Sequence, residues 1–314
     1  MHSYSLLAPA KINLHLEIIG DRADGYHELV MILQSVNLCD RLVVASNSTS
    51  NFRVSCESRQ MPPQEQNLAY KAAQLMGEEF PEVFAQFGGV DLILDKEIPI
   101  AAGLAGGSAD AAAVLVGLNL MWNLGLTQPE LQGLAARLGS DIPFCVAGGT
   151  AIATGRGEKL DSLNSPNLLW AVLGKYQSLE VSTVWAYQTY RQQFGETYLR
   201  DPDSVRSRAS HVHSGPLVDA ILHKNNEQIG QLLHNDLEKV VLPEYPQVAR
   251  LKETMQQAGV LGALMSGSGP TVFALCESQQ QAEEVKEKVR EAIADSDLGL
   301  WVAQFSSSGI QVAQ

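Results

Sequence analysis

The sequence predicts an α+β protein of two domains, and three observations lead there. Its 314 residues exceed one ordinary domain, while 45% apolar and 18% charged residues suit a globular chain with a large core. Strand-like alternation and helix-like spacing succeed one another with no internal repeat. A Gly and Asn/Ser/Pro cluster, TGRGEKLDSLNSPN from Thr154, reads as the boundary and divides the chain into 1–160 and 161–314.

From Lys11 to Ile19 the apolar Ile12, Leu14, Leu16 and Ile18 alternate with Asn13, His15 and Glu17, the period of a half-buried strand that Gly20 ends. GDRADGYHEL follows as a loop. RLVVA from Arg41 and FRVSC from Phe52 read as strands, and the spacing of Leu68, Ala72, Leu75 and Met76 as an amphipathic helix. Alternation resumes at Val90 and closes at Pro99. After the glycine-rich PIAAGLAGGSADAAA a helix runs from near Ser108 to about Trp122, and Thr127 caps the next, with Pro129 and Glu130 in its first turn. The stretch from Ser140 to Leu160 reads as loop and strand, and LLWAVLG from Leu168 as a buried strand. The polar LRDPDSVRSRASHVHSG after Tyr198 reads as a mobile surface loop. Helices over about 216–235 and 246–258, a strand at Thr271-VFALC, a charged helix over 279–294 and a last strand from Trp301 complete the second half.

A formal charge of −13 argues against binding nucleic acid or anionic membranes, because both depend on Lys and Arg neutralising phosphates. A basic pocket within an acidic protein stays open. Cys39, Cys56, Cys145 and Cys276 lie far apart, without CxxC or a nearby His, so they read as reduced thiols and no protein metal site is expected. The N-terminal stretch lacks the charge and apolar pattern of a signal peptide, and no apolar run reaches membrane-spanning length. The expected location is the cytoplasm, or a plastid stroma if a transit peptide has been removed.

In PIAAGLAGGSADAAA, Gly103, Gly106 and Gly107 stand between a strand and a helix. Such a turn directs backbone N–H groups inward and adds the unsatisfied donors of a helix start, which suits an anion. No Gly-Lys-Ser/Thr follows and the register is not GxGxxG, so both common nucleotide motifs fail. By itself the stretch is either a phosphate cradle or a tight turn. A second cluster, GALMSGSGPTVFAL with Gly267, Ser268 and Gly269, is either a hairpin or the opposing wall of the same site.

PAKINL from Pro9, PIAAGLAGGSADAAA and GALMSGSGPTVFAL occur in the order of the three motifs of the GHMP small-molecule kinases and span most of the chain, which resembles that family. The resemblance implies a two-domain GHMP kinase fold, with a ribosomal-protein-S5-domain-2-like N-terminal domain and a ferredoxin-like α/β-plait C-terminal domain. It also implies ATP as phosphoryl donor with Mg²⁺. ADGYHEL, with LGSDIPFC, GRGE and VSTVWAY, is similar to the branch acting on a cytidine-diphosphate-linked methylerythritol in the non-mevalonate isoprenoid pathway. There the 2-hydroxyl would receive the γ-phosphoryl group, giving the 2-phosphate and ADP. The alternatives are a GHMP kinase for another alcohol, such as homoserine or mevalonate, and a non-catalytic nucleotide-binding protein of the same fold.

Carried onto this sequence, the resemblance makes Asp141 the general base and Lys11 the residue that orients it and the hydroxyl. Without that context Asp141 reads as a cap before Pro143 and Lys11 as a solvated lysine. Backbone and side chains of Pro99, Ala101, Ala102, Gly103, Leu104, Ala105, Gly106, Gly107, Ser108 and Ala109 would surround ATP, with Asn67 and Lys96 on the adenine side. Ser108 either touches phosphate or the ion, or caps the helix. Tyr26, His27 and Tyr187 would recognise cytosine by stacking and hydrogen bonds, with Asn13 and Thr183 as polar substrate contacts. The partner is this small molecule, without nucleic acid or membrane, and the assembly a monomer or weak homodimer. Ala105 and Ala109 stand where many relatives carry Gly and Ser, which predicts a stiffer loop. Asp110 is expected to point away from the phosphates and stabilise the first helical turn.

Overall fold

The computed structural model describes residues 3–56, 61–163 and 168–313. Asn164 to Asn167, part of the boundary cluster, lie outside the described residues.

A long antiparallel hairpin opens the chain, with β1 over Ser3–Asp21 and β2 over His27–Ser46. Only the ends of β2 alternate. Leu29 to Val36 has no exposed residue because β2 pairs with β1 along one edge and with other strands along the other, while both faces are covered. That double burial removes the period-2 signal, so the strand from His27 to Asp40 was not expected from the sequence.

β3 (Arg53–Cys56) follows, then α1 (Leu68–Glu79), where Asn67 Oδ1 accepts the Ala69 N–H at 2.9 Å. Next come α2 (Pro81–Phe87), β4 (Val90–Asp95), α3 (Gly106–Met121) and α4 (Gln128–Leu138). As expected for a cap, Glu130 accepts from both the N–H and the hydroxyl of Thr127, at 2.8 and 2.6 Å. Where loop and strand were expected after Ser140, α5 (Ile142–Ala147) intervenes before β5 (Thr150–Gly155) and β6 (Lys159–Leu163). Pro143 fits the first turn of α5, and Ile142 to Val146 are all buried, so no amphipathic period marks the helix.

The second half runs β7 (Trp170–Tyr176), α6 (Thr183–Phe194), α7 (Pro202–His213), α8 (Pro216–Leu222), α9 (Asn226–Gln231), β8 (His234–Asn235), α10 (Glu238–Glu244) and α11 (Pro246–Gln257). It ends with β9 (Gly262–Met265), β10 (Val272–Cys276), α12 (Gln279–Ile293), β11 (Leu298–Gln304) and β12 (Gln311–Val312). The expected loop after Tyr198 is corrected by α7. Asp201 caps it through the Ser204 N–H at 2.8 Å, Pro202 opens it, and Arg208 ties it to Glu17 of β1 at 2.7 Å. It buries no residue, so it carries no core-facing stripe to read.

One sheet is ordered β12-β1-β2-β4-β3, with β5 and β6 branching from β2 and β8 beside β1. The other is β11-β7-β10-β9. A cut at residue 160 does not separate the two sheets, since β8 and β12 return from the second half to pair with β1. α3 lies deep, with Ala109, Ala111, Ala112 and Ala113 fully buried. A Cβ at Gly117 would come within 2.7 Å of Leu6 and Val44, so glycine permits the close approach of helix to sheet. This packing fixes where the N-terminus of α3 points.

Candidate active site

That N-terminus opens into a cavity of about 820 Å³, large enough for a drug-sized ligand. α3 starts two residues before the expected Ser108. Its cap position is Ala105, in the left-handed region at φ 60°, and no side chain caps it. The first intrahelical bond at this end runs from the Ala109 N–H to the Ala105 carbonyl, so Gly106, Gly107 and Ser108 have no helical acceptor for their N–H groups. Ser108 is therefore not the cap. The loop's carbonyls are engaged elsewhere: Leu104 O accepts from Lys11 N, Ala102 O from Thr271 N, and Gly103 O from Ser266 Oγ and Lys11 Nζ. Gly103 (φ 74°) is demanded by space as well, since its Cβ would lie 2.3 Å from the Ser266 carbonyl.

Lys11 is buried beside this loop. Its ammonium donates to Asn13 Oδ1 at 2.6 Å and to Gly103 O at 3.2 Å, and stands 3.8 Å from Asp141 Oδ2. Register shifts on both sides of Lys11–Asn13 and the cover of the second glycine loop bury what simple alternation assigns to the outer face. Asp141 occupies the cap position of α5, yet its side chain makes no capping bond and keeps about a third of its surface exposed. Lys11 is thus no solvated lysine, and Asp141 no hydrogen-bonded cap. In the second loop, Asn235 Nδ2 donates to Met265 O and Gly267 O, while Ser268 Oγ shares a 2.8 Å hydrogen bond with Thr183 Oγ1 at the start of α6.

Below the first loop, Lys96 bridges two carboxylates. It pairs with Asp110 at 2.6 Å and with Asp40, whose other oxygen accepts the N–H groups of Glu97 and Ile98, both at 2.8 Å. Asp110 does not serve the first helical turn as expected: its partner is Lys96, and its Oδ1 is buried without one among the described residues. Burial pushes the Asp110 carboxyl up, against the pull of Lys96, and the charge of Asp40 pushes it further.

At the cavity's other end, the rings of His27 and Tyr187 lie 5.1 Å apart, and Tyr26 is 55% exposed. His27 Nε2 is buried with no hydrogen-bond partner among the described residues. Burial first, then the charge of Arg191, lowers its pKa to about 4, with Asp21 opposing, so the ring is neutral at pH 7.

The structure brings together Lys11, Asn13, Tyr26, His27, Asn67, Lys96, Asp141, Thr183, Tyr187, Gly267, Ser268 and most of the glycine loop as cavity lining. Leu104 and Ala109 instead turn into the core, and Gly269 lies outside the wall. Three charged lining residues had no such role assigned from the sequence: Asp110 as a lysine partner, Arg156 and Arg191. Thr183, Tyr187 and Arg191 recur every four residues along α6, a helical signal that points to Arg191. It donates to Asp21 at 2.8 Å and to the Gly25 carbonyl at 3.1 Å, tying α6 to the β1–β2 turn.

An alcohol-phosphorylating kinase is the class to which this fold and cavity conform. Family models described as GHMP kinases N terminal domain and GHMP kinases C terminal match residues 67–149 and 217–295. A protein of Gloeothece citriformis named 4-diphosphocytidyl-2-C-methyl-D-erythritol kinase is 64% identical, with 99% of each chain covered. One of Nostoc punctiforme with the same name is also 64% identical over 99% of each. A crystal structure of 4-(cytidine 5'-diphospho)-2C-methyl-D-erythritol kinase superposes with a TM-score of 0.74 at 32% identity, covering 96% of this chain and 99% of that one. The chain belongs to the 4-diphosphocytidyl-2-C-methyl-D-erythritol kinases of the GHMP kinase family. Homoserine kinase from Cytophaga hutchinsonii, at 19% identity and a TM-score of 0.76 over 100% of this chain and 98% of that one, shares the fold alone.

Proposed function

We propose that the protein transfers the γ-phosphoryl group of ATP to the 2-hydroxyl of 4-diphosphocytidyl-2-C-methyl-D-erythritol. The observation that carries this reading is one cavity holding three parts: the uncapped start of α3, the Lys11–Asp141 pair, and the Tyr26, His27, Tyr187 cluster. The amides of Gly106, Gly107 and Ser108 receive ATP phosphates, aided by the positive end of the helix dipole. Asn67 and Lys96 flank the nucleotide. Cytosine stacks between Tyr26 and Tyr187, with neutral His27 offering Nε2 to its edge.

Asp141 accepts the proton as the hydroxyl oxygen bonds to the γ-phosphorus, and the bond from that phosphorus to the β–γ bridging oxygen breaks to release ADP. Lys11 holds the carboxylate and the attacking oxygen in register, and the loop amides stabilise the charge moving onto ADP. Asn13 positions Lys11, and Thr183, braced by Ser268, contacts the substrate near its diphosphate.

Among the described residues no group of three or more His, Cys, Asp or Glu is arranged to hold a metal ion. A Mg²⁺ ion would come with the ATP phosphates, and the Ser108 hydroxyl and Asp141 carboxylate, which line the cavity, are the side-chain oxygens that would help hold it. When bound, the ion neutralises charge on the β- and γ-phosphates.

Lys11, Asp141, Tyr26, His27 and Tyr187 all reach the cavity from one chain, which supports action as a monomer or weak homodimer. The net charge of −13 supports a small-molecule partner over nucleic acid or anionic membrane. Among the described residues no helix is long and apolar enough to cross a membrane. We place the enzyme in the cytoplasm, or in a stroma. The test is ADP release with cytidylated methylerythritol, free methylerythritol, homoserine and mevalonate. Turnover of the first alone is expected, and preference for an uncytidylated alcohol overturns the reading.

A further inference from the structure

The proposed reading leaves the diphosphate of the cytidylated substrate without a cation. Four cationic side chains line the cavity, and three are engaged by acids: Lys11 by Asp141, Lys96 by Asp40 and Asp110, and Arg191 by Asp21. Arg156 is the exception, with no carboxylate ion pair among the described residues. Its guanidinium instead lies over the Tyr26 ring, 5.0 Å from the centroid. Asp24 feels its charge but pairs with Arg22 at 3.2 Å. Glu158 is turned to the backbone, accepting the Arg156 N–H at 2.7 Å.

Its place in the fold matters as much as its free charge. Arg156 ends its stem beside Tyr26, while the next residue, Gly157, abuts the loop of the proposed base: a Cβ there would lie 3.8 Å from Ser140 Cβ, one residue before Asp141. Residues 156–157 therefore bridge from the base-stacking wall to the catalytic loop. A diphosphate joining a cytidine on Tyr26 to an alcohol at Asp141 must cross that interval. A planar guanidinium stacked on an aromatic face is already oriented to present its N–H edge to phosphate oxygens.

We propose that Arg156 receives the diphosphate of the cytidylated substrate and so sets the preference for a phosphate-linked alcohol over a free one. This rests on the cytidine reading of the cavity. The experiment measures binding of cytidine and CDP to wild type, R156Q and R156K with the ATP site filled by a non-hydrolysable ATP analogue, alongside steady-state kinetics. In the wild type CDP is expected to bind more tightly than cytidine. R156Q should shrink that CDP advantage about tenfold, the size of one lost charge-assisted hydrogen bond, while cytidine affinity stays within about threefold. R156K should retain part of the advantage, and R156Q should raise KM for the cytidylated substrate while leaving KM for ATP and kcat little changed. Equal weakening of cytidine and CDP, which makes Arg156 only a support for Tyr26, overturns the proposal, as does no change in either. A wild type that binds neither ligand overturns the cytidine reading itself, and with it the role of Arg156.

Discussion

Replacing Asp141 with Asn separates catalysis from folding, because the structure gives this side chain almost nothing to do for stability. It makes no capping hydrogen bond, about a third of it is exposed, and its ion pair with Lys11 is long at 3.8 Å. A partly exposed pair of that length contributes under about 1 kcal/mol. Loss of a general base costs about 10²- to 10⁴-fold in rate, or roughly 3–5 kcal/mol of barrier. D141N should therefore lower kcat by at least about 100-fold while moving the unfolding free energy by less than about 1 kcal/mol. The assay is coupled ADP release at saturating ATP and alcohol, with urea unfolding of the same preparations. A D141N enzyme retaining activity within about threefold at unchanged stability refutes Asp141 as base. A loss of several kcal/mol in stability refutes the view that its side chain is free for substrate.

Ala105 adopts φ 60°, where an L side chain is strained, so A105G should stabilise the protein by about 1 kcal/mol in urea unfolding. Lys96→Met leaves the buried carboxylates of Asp40 and Asp110 without their cation and should cost about 3–5 kcal/mol, whereas Asp110→Asn, which leaves Lys96 balanced by Asp40, should stay within about 1 kcal/mol. His27 has a folded-state pKa of about 4 against about 6.5 for an ordinary imidazole, so the unfolded chain binds a proton in that window that the folded protein does not. Its contribution is complete above pH 6.5 and falls by about 1.4 kcal/mol per pH unit toward pH 4. Urea unfolding from pH 5 to 7 should show a shallower slope in His27→Gln than in the wild type.

How much of this was legible in the sequence varies with what each residue faces. β4, α1, α4 and α12 present one apolar and one polar face or carry clear caps, and their periodicity and capping residues predicted them closely. The Leu29 to Val36 stretch of β2 and Ile142 to Val146 of α5 are buried on every side and α7 on none, and in both cases the pattern that marks an element vanishes. The site divides in the same way. Glycine loops, the lysine of β1 and the turn before β2 carry short motifs, because backbone geometry at a phosphate site demands particular residues at consecutive positions.

Order along the chain thus determined the family, the glycine loops and the candidates Lys11, Asp141, Tyr26 and His27. Only the tertiary structure decided which charges were spoken for. Asp40 reaches Lys96 across 56 residues, Asp110 turns to that same lysine, and Arg191 is taken by Asp21 across 170, leaving Arg156 beside Tyr26 without an acid among the described residues. A motif records which side chains are near in sequence. Electrostatic pairing depends on distances of a few ångströms and on burial, which the chain acquires only when β1, β2, α3 and α6 close around one cavity.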